Sequence, residues 1–112
     1  MSLAELHQLL LTLGIPVAYD HFVDEQKPPF IAYRTLSENF RTADSKTAFR
    51  TDNIELCYCS DIRDVAFERK IEQLLEDNLI TFDKVILFLD SQNMYQATYN
   101  FTILEENHGS ED

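Results

Sequence analysis

The chain has 112 residues, a formal charge of −11, 45% apolar residues and 12% aromatic residues. That length is one domain, and that composition is globular. The charge argues against nucleic-acid binding, which needs clustered Lys and Arg against phosphate. The last eight residues, EENHGSED, carry −4 of it.

No apolar run is long enough to span a bilayer; Val85–Leu89 is typical. The N-terminus lacks the basic-then-apolar pattern of a signal peptide. A cytosolic folding compartment and no membrane partner are expected. Residues 1–104 are read as a single domain and 105–112 as an acidic, disordered tail.

In chain order, residues 2–13 (SLAELHQLLLTL) predict a helix. Ser2 and Glu5 have capping-box spacing, and Leu3, Leu6, Leu10 and Leu13 recur at helical period. Gly14 suits the left-handed position after it, and Pro16 stops it. Val17–Phe22 reads as a short strand. Pro28 and Pro29 then punctuate, and Phe30–Leu36 reads as a second strand entered through proline.

Residues 37–47 (SENFRTADSKT) read as a polar loop. A third strand is expected from Ala48 to Cys59, where Ile54, Leu56 and Tyr58 alternate with polar residues and cysteines. Residues 61–77 predict the clearest helix. Asp61 would cap it, and Val65, Phe67, Ile71, Leu74 and Leu75 would face the core. Glu68, Glu72 and Glu76 read as a solvated acidic ridge. Lys84–Asp90 and Met94–Leu104 are two further strands joined by a hairpin-length turn.

The order α-β-β-β-α-β-β predicts an α+β fold. It is a two-layer sandwich: a mostly antiparallel sheet of about five strands with two helices on one face. The other face would carry Asn53, Glu55, Cys57, Gln96, Thr98 and Asn100.

Chemistry is sparse. His7, His21 and His108 fall in a helix, a loop and the tail. Nucleophile elbow, phosphate loop and HExxH are all missing. Asp20, His21, Asp24 and Glu25 are better read as a solvated loop than as a metal site. Cys57 and Cys59, two apart on one strand, read as reduced packing cysteines. The expectation is no enzyme, no cofactor, no metal and no catalytic residue.

Interaction signals are stronger. KVILFLD is apolar on both faces, so Ile86 and Phe88 are candidates for burial against another subunit. The segment from Arg34 to Arg50 holds Arg34, Arg41, Lys46 and Arg50 against Glu38 and Asp44, with Phe40 among them. A basic segment on an acidic body suits head-to-tail contacts, which close into rings when the rotation allows. A soluble monomeric or dimeric protein-binding adaptor is the alternative.

GIPVAYDHF with PPFIAY, then IELCYCSDIRDVAFERKIEQLLE, then MYQATYNFTI resembles a group of small phage and prophage proteins. They are encoded in the tail-morphogenesis region of long-tailed phages of Gram-positive bacteria. The resemblance covers roughly residues 10–104 and departs at LCYCS, where a segment without cysteines is expected. It implies a structural virion protein acting in tail completion, as a tail terminator, or in head–tail joining. It also implies a small α+β sandwich assembling with itself as a ring, often hexameric, made in the host cytoplasm and located in the tail or neck. Other phage tail or neck proteins would be its partners, without sequence-specific DNA contacts. The GIPVAY–PPFIAY unit, with Pro28 and Pro29, is then expected to fix a strand pair at the sheet edge as one ring contact, with the DEQK link presented outward.

Overall fold

The computed structural model describes residues 1–43 and 47–108. The elements are α1 (Leu3–Leu11), β1 (Val17–Tyr19), β2 (Phe30–Ala43), β3 (Thr47–Ser60), α2 (Val65–Asp77), β4 (Phe82–Leu89) and β5 (Met94–His108). The five strands form one sheet in the order β1-β2-β3-β5-β4. Every pairing is antiparallel except β1 with β2, which is parallel. The α+β class and the order α-β-β-β-α-β-β are those expected.

Helix α1 starts where its capping box sets it. Ser2 Oγ accepts from Glu5 N at 3.1 Å, and Glu5 returns the bond to Ser2 N at 3.0 Å. Gly14 follows with φ +84°, a conformation that costs a side-chain-bearing residue energy. Helix α2 starts three residues later than the sequence suggests. Asp64, not Asp61, is the cap, and it accepts from Phe67 N at 3.0 Å. Val65 is therefore the first helical residue, and it is exposed rather than part of the core.

Both helices bury one stripe against the same sheet face. Leu6 and Leu10 of α1 and Ile71 and Leu75 of α2 meet Ile31, Tyr33, Leu56, Tyr58 and Tyr99. Helix α1 lies towards β2, where His7 Nδ1 and the Tyr33 hydroxyl share a 2.7 Å hydrogen bond. Helix α2 lies over β3, with Phe67 stacked on Tyr58 at 4.8 Å.

Three strands run further than hydropathy predicts. The stretch read as a polar loop continues β2 to Ala43, and β3 begins at Thr47. The stretch read as a tail continues β5 to His108; residues 109–112 lie outside the described residues. Apolar alternation is absent there, and the strands are joined by their backbone ladder, with Arg50 paired to Glu38 across β2–β3, which a hydrophobic pattern does not register. A register shift between Thr35 and Ser37 marks a bulge at the root of this extension, and bulges bend and twist a strand. The result is a molecule of 52 × 28 × 22 Å with a three-stranded arm beyond the helical layer.

Candidate functional site

The unit that opens the sheet is an edge, as expected. Val17, Ala18 and Tyr19 pair with Ile31, Ala32 and Tyr33, and Ile31 N donates to Pro16 O at 2.9 Å. Pro28 and Pro29 stand immediately before β2, joined by a cis peptide bond. Phe30 packs edge-on against Phe22 at 5.3 Å, which ties the intervening link back to the strand. Asp24, Glu25 and Lys27 of that link are exposed.

Arg34 and Arg50, two of the basic candidates, are paired within the chain. Arg34 Nε donates to Glu55 Oε1 at 3.0 Å across β2–β3. Arg50 pairs with Glu38 and donates to Asp52 Oδ1 at 3.2 Å; Asp52 itself is buried. Two of the four cations singled out in the sequence are thus neutralised by their own chain. Arg41 sits in β2 opposite Phe49, and Lys46 lies outside the described residues. Phe40 is 65% exposed, with Leu36 exposed on the same strand. The Met1 ammonium donates to Leu104 O at 2.6 Å, which fastens the N-terminus to the base of the arm.

Strand β4 is the opposite edge of the sheet. Ile86 packs against the core, whereas Phe88 is 45% exposed and leans on Tyr95 at 4.9 Å. The pair singled out in the sequence is therefore split between core and surface. Val85 and Leu87, on the uncovered sheet face, are 49% and 47% exposed and are the surface residues that the sequence reading passed over.

The acidic ridge of α2 is solvated only at Glu76. Glu68 is 2% exposed and Glu72 is buried, because the helix turns that side towards β4 rather than to water. Lys84 of β4 reaches both, 2.8 Å from Glu68 Oε1 and 2.6 Å from Glu72 Oε2. The Tyr99 hydroxyl donates to Glu72 Oε2 at 2.9 Å, and Arg63 and Arg69 approach from the rim at 3.4 and 3.6 Å. Burial alone would raise the Glu72 carboxyl, but hydrogen bonds from Lys84 and Tyr99 outweigh it and hold Glu72 below its ordinary range. Burial pulls the Lys84 ammonium down, yet the two carboxylates outweigh it and hold it above its ordinary value. Burial, then the bond to Glu72, raises the Tyr99 phenol. The signal for this cluster was present: Lys84 is the one charge on the core side of an otherwise apolar strand, and Glu68 and Glu72 are four apart on α2.

Burial also pushes both thiols up, Cys59 to about 11, so neither is a nucleophile at neutral pH. The cysteines are free, and Cys57 lies 3.8 Å from Thr98 Oγ1 on the open sheet face. Among the described residues no group of three or more His, Cys, Asp and Glu could hold a metal, and no helix is long and apolar enough to cross a membrane. A groove of roughly 730 Å³ lies where β4 begins, lined among others by Leu36, Asn53, Leu79, Phe82, Asn100 and Thr102. Three of its polar lining groups bond to one another, Thr102 to Asn53 and Asn53 to Ser37, both at 2.6 Å. No family model matches the chain, and no curated protein matches it either.

Proposed function

We propose that this chain is a structural virion protein of a long-tailed phage or prophage, acting in tail completion as a tail terminator or in head–tail joining. It assembles as a ring on the tail tube and carries out no catalysis. The observation that carries the reading is the arm. Strands β2, β3 and β5 run on past the helices and present Phe40 and Leu36 to solvent, away from their own core. An arm of this kind meets a different surface on its neighbour, and such head-to-tail contacts close into rings.

The resemblance of GIPVAYDHF, PPFIAY and MYQATYNFTI to tail-morphogenesis proteins supports the same reading. The charge of −11 fits a ring through which DNA passes without being held. The test is inactivation of the gene in the phage or prophage that carries it, with electron microscopy of the lysate. Filled heads separate from tails are expected. Intact, infectious virions would overturn the reading.

A further inference from the structure

The outer edge of β4 is unpaired among the described residues, and past Asp83 and Lys84 its run Val85–Leu89 carries none of the usual protection of an edge strand. Natural edges are short, or carry charge, proline or a bulge, because an open row of N–H and C=O groups recruits another strand. The opposite edge, β1, is three residues long. From Val85 to Leu89 the β4 edge is uninterrupted apolar sequence in regular register with β5, with Val85, Leu87 and Phe88 all exposed.

We infer that β4 pairs antiparallel with β4 of a second copy, about a two-fold axis at Leu87. The occupant and the register follow from the pattern KVILFLD. With Leu87 opposite the partner's Leu87, Ile86 faces the partner's Phe88, Val85 faces the partner's Leu89, and Lys84 faces the partner's Asp90. Residues of even number share the helix-covered face and those of odd number the open face, so each pair meets on one side of the joined sheet. Neighbouring registers fail on charge. An axis at Ile86 sets Lys84 against Phe88 and Asp83 against Leu89; an axis at Phe88 sets Asp90 against Ile86.

The chosen register also answers a local imbalance. Around Lys84 stand Arg63 and Arg69 against only Glu68 and Glu72, one positive charge in excess. The partner's Asp90 brings one negative charge to that side, and the symmetry repeats the pair. A two-fold contact is self-complementary and closed. It concerns the free protein and does not depend on the virion reading.

The experiment is mass in solution by light scattering over a concentration series, for the wild type, Leu87→Lys and Asp90→Lys. A wild-type dimer is expected. Leu87→Lys places two like charges on the axis and should give a monomer with an unchanged far-UV spectrum. Asp90 lies in an exposed turn, so Asp90→Lys leaves the fold alone; it replaces two attractions with repulsions and should weaken the dimer on the order of tenfold. A wild-type monomer at every concentration overturns the inference, as does a dimer that both variants retain. A larger ring untouched by Leu87→Lys also overturns it, while leaving the virion reading standing.

Discussion

At the scale of single residues the strongest commitment in this chain is Lys84. Among the described residues it is the only cation facing the two buried carboxylates of α2 from the sheet, and it joins an edge strand to the helix above it. Replacing Lys84 leaves Glu68 and Glu72 with only the longer ionic contacts to Arg63 and Arg69 at the rim, and a buried carboxylate that loses its nearest partner is costly. Lys84→Met should therefore cost about 1–3 kcal/mol in urea unfolding. The same pair sets a pH window. Glu72 titrates lower in the folded chain than its ordinary 4.5, so its stabilisation is complete above that value and is lost as pH falls through the folded pKa. Lys84 titrates above its ordinary 10.5, so its contribution is complete below that value and is lost as pH rises through the folded pKa. Stability from this cluster should be flat between those limits, and Glu72→Gln should flatten the acid limb of the urea midpoint against pH. An acid limb of equal steepness in the variant would show that other carboxylates govern it.

At the scale of elements, the end of α2 is built with an unfavourable residue. Ile80 N donates to Leu75 O at 2.9 Å and Leu79 N to Glu76 O at 2.9 Å, the bond pair of a helix terminated by a left-handed residue. Glycine is the usual occupant, yet here Leu79 takes φ +60° with 94% of its surface exposed. Leu79→Gly loses almost no packing and relieves the left-handed strain, so it should stabilise the protein by about 0.5–1 kcal/mol in urea unfolding. Local signals of this kind explain what the sequence made legible. The capping box, Gly14 and the Leu6/Leu10 stripe placed α1, and the alternation of Ile54, Leu56 and Tyr58 placed β3. Each is a short-range rule acting on neighbours in the chain. The start of α2 was ambiguous because DIRD offers two capping aspartates, and only the bond to Phe67 N chooses between them. Burial of Glu68 and Glu72 was illegible from α2 alone, since it depends on Lys84 arriving from a strand that follows the helix. The arm was missed because its residues pair through the backbone and through Glu38 with Arg50, with no apolar face to announce a strand.

At the scale of the whole molecule, the body and the arm are stabilised by different means, and their dynamics should differ accordingly. The body strands are covered by α1 and α2, so Ile31, Tyr33, Leu56, Tyr58 and Tyr99 are sealed from water on one face. Beyond Asp52 and Ile103 that cover ends. The described side chains from Leu36 to Phe40 are all exposed, and the cross-strand charges there stabilise little when solvated. Backbone hydrogen bonds without apolar cover open locally at low free energy, whereas those under a core open only with the whole domain. Native-state hydrogen exchange should therefore find the paired amides of Glu38, Asn39, Phe40 and Thr51 exchanging at least about tenfold faster than those of Leu56, Tyr58 and Tyr99. Uniform protection along β2 and β3 would show that the arm is as rigid as the body and draws stability from a source other than its ladder. Under the proposed function the difference has a use. An arm that opens on its own can adjust to a neighbouring subunit and gain order on docking, while the sheet that carries it stays fixed.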